Sequence, residues 1–185
     1  MAPHPVFRRE WAMPSADTFD IPPIAALVKR ALITSSVSID PFARNKLWAT
    51  HTNDLNPKTN AEHHLDAVEF LRLLEGRGVK ADLLIFDPPY SPRQIAECYQ
   101  EAGKKVGMRD TQSARLYSEC RDAAMPVLSE NAIVISCGWN SVGMGKGRGF
   151  ELVEILMVCH GGAHNDTIIV VEQRNAETQP SFQWG

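Results

Sequence analysis

Residues 87–90 read Asp-Pro-Pro-Tyr and follow directly on the apolar run Leu83-Leu84-Ile85-Phe86. Two consecutive prolines cannot continue a strand, because each removes a backbone donor and fixes φ. The run must therefore stop on a stiff turn that carries one carboxylate and one aromatic ring. In an open α/β sheet that place, the carboxyl end of a strand, is where ligands bind. A rigid turn with one acceptor (Asp87) and one flat ring (Tyr90) suits the grip of a planar base that bears an exocyclic amine.

Three further aspartates, Asp40, Asp54 and Asp66, sit at or near the ends of segments that precede this turn. A single aspartate after a strand is a common turn or helix cap. Four in series are harder to account for by capping, and carboxylates at one sheet edge can accept from ribose hydroxyls, an ammonium group and an exocyclic amine. Other chemistries find no support. Gly143, Gly145, Gly147 and Gly149 alternate without the Ser or Thr of a P-loop, and no GxGxxG joins a strand to a helix. The four cysteines form no CxxC pair, and His63-His64 and His160/His164 lack a completing ligand set, so no metal site is expected.

The elements that must position these residues alternate between strand and helix. Short apolar or β-branched runs over 36–39, 47–52, 83–86 and 132–136 read as strands, with helices over 21–32, 62–74 and 111–128. The runs 152–159 and 167–172 flank His160-Gly161-Gly162, a connection too short for a crossover helix, and so predict a closing antiparallel pair. Residues 91–110 read as a polar connection, 138–149 as a glycine-rich loop, 1–17 as an irregular arm and 175–185 as a polar tail. The expected fold is α/β, a mostly parallel sheet with covering helices.

With 185 residues, 44% hydrophobic and 22% charged, the chain suits one domain with a real core, here 18–174. A net charge of −3 argues against wholesale electrostatic binding to nucleic acid, so any such contact must be local. Neither a membrane span nor a secretory signal is legible, and scattered cysteines fit reduced thiols, so a cytoplasmic protein is expected.

The motif Asp87-Pro88-Pro89-Tyr90 resembles motif IV of the S-adenosylmethionine-dependent amino-methyltransferases that act on adenine or cytosine in nucleic acids. The resemblance widens upstream. Phe19 to Ile24 is similar to motif X, Asp40-Pro41-Phe42-Ala43 to motif I, Asn53-Asp54-Leu55-Asn56 to motif II and Asp66-Ala67 to motif III. The chain thus looks like a small phage-type adenine-N6 methyltransferase over roughly residues 18–173. This implies a Rossmann-like seven-stranded sheet ending in an antiparallel hairpin, S-adenosylmethionine as cofactor and DNA as partner. It implies catalysis at Asp87, Pro88, Pro89 and Tyr90. It implies cofactor contacts from Phe19, Ile21, Pro22, Asp40, Pro41, Phe42, Ala43, Asp54, Leu55, Asp66, Ala67 and Asp87, with Asp54 on the ribose and Asp66 on the adenine amine. Nucleic-acid contacts are expected from Tyr90, stacked on a flipped base, and from Arg93, Lys104, Lys105, Lys146 and Arg148.

Two departures stand out. Motif I usually continues into glycines, and here Arg44, Asn45 and Lys46 take their place; Asn45 is the residue expected to tolerate a left-handed turn. No separate target-recognition segment is visible, which leaves a homodimer or a partner subunit to assist. The competing reading is a methyltransferase-like binding or scaffold protein with weak or lost cofactor affinity. Cytosine-N4 and RNA adenine are the alternative targets.

Overall fold

A computed structural model describes residues 4–103, 113–162 and 164–175. Its strands are β1 (Val6–Trp11), β2 (Ser38–Asp40), β3 (His51–Thr52), β4 (Ala81–Phe86), β5 (Leu128–Gly138), β6 (Phe150–Cys159) and β7 (Thr167–Arg174). Its helices are α1 (Pro22–Ile33), α2 (Ala67–Gly76), α3 (Pro92–Glu101) and α4 (Ser113–Ala124). The strands form one seven-stranded sheet in the order β1-β6-β7-β5-β4-β2-β3, parallel except for the two pairings of β7. The expected Rossmann-like α/β architecture and the closing antiparallel pair are present.

The centre of the sheet is buried on both faces, where Leu83–Phe86 of β4 and Ala132–Ile135 of β5 form continuous apolar runs. Successive side chains of a strand point to opposite faces. Leu84 and Phe86 accordingly join Phe70, Leu71 and Leu74 of α2 and Cys120 and Ala124 of α4 in one core. Leu83 and Ile85 join Ile24, Leu27 and Val28 of α1 in the other. Parallel pairing of β2, β3, β4 and β5 brings Asp40, Asp54, Asp87 and Trp139 toward one edge, since each follows or ends its strand at the carboxyl side.

Several expectations need correction. Residues 6–11, read as part of an irregular arm, form β1, which extends the sheet beyond β6; Arg8 clasps Glu154 of β6, and Arg30 of α1 reaches the same carboxylate at 2.9 Å. The polar connection 91–110 contains α3, capped by Ser91, whose hydroxyl accepts from the Gln94 N–H at 3.2 Å. The strand over 47–52 shrinks to His51–Thr52. The helix over 62–74 starts at Ala67, because Asp66 caps it by accepting from the Val68 N–H. The helix over 111–128 ends at Ala124, where Pro126 imposes a short 3-10 turn before β5. No helix among the described residues is long and apolar enough to cross a membrane.

The loop 139–149 is fastened from behind by Glu172 of β7, a buried carboxylate that accepts from the N–H groups of Met144 and Gly145, the latter at 2.9 Å. Glu172 lies directly where a side chain on Gly143 would go. Gly143→Ala is therefore expected to cost about 2–3 kcal/mol by overpacking and loss of these bonds, measured as a lower urea midpoint with unchanged slope.

Candidate active site

The turn after β4 holds its own residues in place. The Tyr90 N–H donates to Gln94 Oε1 at 2.7 Å, and the Tyr117 hydroxyl of α4 donates to the Pro89 carbonyl at 2.5 Å. The Tyr90 phenol donates to Asp87 Oδ1 and lies 3.2 Å from Thr18 Oγ1. Burial pushes the Asp87 carboxyl up to about 6, against the opposing bonds from Tyr90 and Thr18. Burial, with Asp87 next, also raises the Tyr90 phenol, so it remains a donor. Sequence alone gave Tyr90 the role of a stacking platform. Here its hydroxyl orients Asp87 and its ring meets Trp139 edge-on at 5.6 Å.

Beside Asp87 lies a cleft of about 400 Å³ bordered by Thr18, Phe42, Arg44, Asp54, Gln94 and Glu101, among others. Asp54 stands in it with each carboxylate oxygen accepting one backbone N–H, from Asn56 at 2.8 Å and from Arg44 at 3.1 Å. Burial still raises its pKa. Asp40 is 1% exposed and sits behind the cleft wall, where its Oδ1 accepts from the Phe42 N–H at 3.0 Å. Burial first, then the neighbouring charges of Asp87, Asp54 and Asp17, push its carboxyl well up.

The loop that lacks glycines is built around Arg44, which adopts φ +49°, the left-handed conformation expected at Asn45. Its guanidinium donates to the Ala16 carbonyl at 3.0 Å. Lys46 is committed to Asp20 at 2.5 Å and lies over the Trp48 ring. Asn45 uses its side-chain oxygen to accept from the Asn60 N–H at 3.0 Å.

A second cavity, of about 330 Å³, lies across the turn, bordered by Phe86, Tyr117, Arg121, Ser136, Trp139 and Asn140 among others. Pro88 and Tyr90 border both cavities. The turn is thus a partition with a different space on either side.

Of the expected cofactor residues, Phe42, Asp54 and Asp87 line the cleft. Phe19 and Ile21 are packed in the core, Phe19 stacked 5.6 Å from Trp48, and Pro22 opens α1; from their segment it is Ala16 and Thr18 that face the cleft. Pro41 and Ala43 are buried behind it, and Leu55 is not among its lining. Asp66 and Ala67 stay outside: Asp66 caps α2 and accepts from the Tyr99 hydroxyl at 3.0 Å. Of the expected nucleic-acid contacts, Arg93 pairs with Glu97 at 2.8 Å and Arg148 with Asp122 at 2.7 Å, whereas Lys146 is exposed. Lys104 and Lys105 lie outside the described residues. Among the described residues no group of three or more His, Cys, Asp or Glu side chains could hold a metal ion.

Sequence reasoning named Asn53 only as the first residue of the motif II match, without a role, and missed Thr18, Trp139, Ser136 and Arg121 as site residues. Of these four only Trp139 carried a signal, as an aromatic directly after a strand.

No protein-family model matches the chain, and none of the curated proteins does. Solved structures do share its fold. SMU.776, a candidate methyltransferase solved with SAH, is 14% identical with a TM-score of 0.55, over 80% of this chain and 48% of that one. TrmN from Thermus thermophilus is 16% identical with a TM-score of 0.54, over 83% of this chain and 49% of that one. The chain thus spans about half the length of these structures.

Holding an arginine in the left-handed region costs on the order of 1 kcal/mol. Arg44→Gly is expected to raise the unfolding free energy by about 0.5–1 kcal/mol, and Arg44→Val to lower it by about 1–2 kcal/mol, in paired urea titrations. The Asp54 contact uses the backbone of residue 44 and survives both changes.

Proposed function

We propose that this chain transfers a methyl group from S-adenosylmethionine to the exocyclic N6 amine of adenine in DNA. The observation that carries the reading is the partition: Asp87-Pro88-Pro89-Tyr90 separates an acidic cleft from an aromatic cavity, so that a donor and an acceptor can meet across one carboxylate. The shared fold with SMU.776, solved with SAH, and the sequence motif support it.

The cleft fits the cofactor. Asp54, Asp87, Glu97 and Glu101 outnumber Arg44 and Lys58 on its lining, which favours a ligand carrying sulfonium and ammonium charges. Asp54 has acceptor capacity left after its two backbone bonds, as two vicinal ribose hydroxyls require. Phe42 gives an apolar surface between them. Bound S-adenosylmethionine supplies an electrophilic methyl group.

The residues of this chain do the remainder. The amine of adenine is a weak nucleophile because its lone pair is delocalised into the ring. Asp87 Oδ2 and the Pro88 carbonyl accept from the amine and draw its nitrogen out of conjugation. Tyr90, donating to Oδ1, fixes the carboxylate. The nitrogen must shed one proton as it gains the methyl, and the raised proton affinity of Asp87 suits it to receive that proton. Exposed Lys146, and Arg93 once released from Glu97, are the described cations we assign to DNA phosphates, which position a strand without reading sequence.

Asp87→Asn is expected to lower methyl transfer at least about 100-fold while the calorimetric Kd for S-adenosylmethionine weakens by no more than about tenfold, since three of the four cleft carboxylates remain. Wild-type activity in that variant overturns the reading. Nucleoside digestion should place the added mass on deoxyadenosine.

The ionised carboxylate is the working form, so the wild-type rate should rise with pH through about 6 and then level off. The stability effect has the opposite sign. A raised folded-state pKa contributes stability only while the group is protonated, and this is lost as pH rises from the unfolded value through about 6. At pH 8 Asp87→Asn should therefore gain about 1–2 kcal/mol over wild type, less than the full shift implies because the carboxyl is partly solvated.

A further inference from the structure

The structure assigns Trp139, not Tyr90, as the platform on which the acceptor adenine stacks, in the cavity across the turn. The inference rests on the reading above and adds the residue that holds the acceptor. Tyr90 is unsuited to that role: its hydroxyl is committed to Asp87 and its ring packs against Trp139 and the core beneath the sheet edge. Trp139 follows β5 directly and is 43% exposed, a large apolar ring left open where the lining of the cavity begins. Indole rings left half in water normally find a partner surface, and a base offers one of matching shape and polarity.

The rest of the wall agrees. Phe86 and Tyr117 meet edge-to-face at 6.4 Å, and the Arg121 guanidinium lies 5.8 Å from the Phe86 ring and 5.9 Å from the Tyr117 ring. This interleaving of aromatic rings with an arginine is the composition that single-stranded nucleic acids select. Two polar atoms of the same lining residues, Ser136 Oγ and Arg121 Nε, are buried without a hydrogen-bond partner, and Ser136 is only 4% exposed. Arg121 Nη2 is used, donating to the Val142 carbonyl at 3.0 Å; Nε is not. Native proteins leave few such groups unpaired, and two of the four among the described residues border this one cavity, which supports a ligand there. Nε can only donate, so the ring it meets must present an acceptor, while the Ser136 hydroxyl can donate or accept. Adenine has ring nitrogens on both sides of its amine, whereas guanine carries an N–H beside its own.

The test is equilibrium binding of a fluorescently labelled single-stranded oligodeoxyadenylate to the wild type, Trp139→Ala and Trp139→Phe, read by anisotropy, with calorimetric titration of S-adenosylmethionine into the same proteins. Loss of one base stack predicts about 5- to 150-fold weaker oligonucleotide binding by Trp139→Ala. Trp139→Phe, which keeps an aromatic face, should stay within about threefold of wild type. The cofactor Kd should move by less than about twofold in both, because Trp139 does not line the cleft. Equal oligonucleotide affinity of Trp139→Ala and wild type, or no binding by wild type, overturns the inference. A wild type that binds oligonucleotide through Trp139 but takes no S-adenosylmethionine supports the stacking site and overturns the methyltransferase reading instead.

Discussion

One buried amide holds the Asp54 side of the sheet edge together. Asn53 is 1% exposed and every polar group it owns is engaged. Its N–H donates to the Asp40 carbonyl and its carbonyl accepts from the Ala43 N–H, both at 2.9 Å. Its side-chain nitrogen donates to the carbonyls of Pro41 at 3.1 Å and Leu65 at 3.0 Å, and its side-chain oxygen accepts from the Leu65 N–H at 2.9 Å. Three segments that no strand pairing unites are thereby tied: the end of β2, the loop around Arg44 and the entry to α2. β2 and β3 are three and two residues long, too short to fix this corner by their ladder alone. A fully satisfied buried network is worth more than its separate bonds, and it lets the Arg44 loop keep a strained backbone without glycine.

The other constraint is the double proline. It stops β4 at Phe86, paired with Ser136, while β5 runs two residues further to Gly138, and a cavity lies on each side of the turn that follows. Thr18 and Tyr90 then meet at the Asp87 carboxylate from one side, and Tyr117 secures the Pro89 carbonyl from the other. The site stands on sheet and helix, which makes it precise; the loop 139–149 that carries Trp139 gains comparable definition from Glu172.

What the sequence made legible follows from burial. β4, the closing strand pair and α1 bury continuous or periodic apolar faces, and such faces are what pattern reading detects. β1 was missed because it is an edge strand whose residues are mostly exposed on both faces, so Val6-Phe7-Arg8-Arg9-Glu10-Trp11 has no period. α3 was missed because Ile95 is its one buried residue; the Ser91-Pro92 start signal was present, but the apolar stripe was not. Within the site, Asp87 and Asp54 were readable as acceptors at strand ends. The inward turn of Tyr90, the capping role of Asp66 and the left-handed backbone at Arg44 depend on tertiary partners such as Thr18, Tyr99 and Asp54, which spacing along the chain does not encode.

The cluster of carboxylates at this edge works against folding. Asp40, Asp54 and Asp87 all have raised proton affinities, with burial as the leading cause, and Asp40 also feels the charges of Asp87, Asp54 and Asp17. Substituting neutral residues would remove that repulsion at no evident structural loss for Asp87, whose bonds to Tyr90 and Thr18 an amide could partly keep. Retained electrostatic strain of this kind is characteristic of a site shaped for a ligand. A cation bound in the cleft would relieve it, and by linkage its binding would stabilise the folded chain. The same carboxylates that weaken the unliganded fold are therefore the groups from which a cationic ligand would draw its affinity.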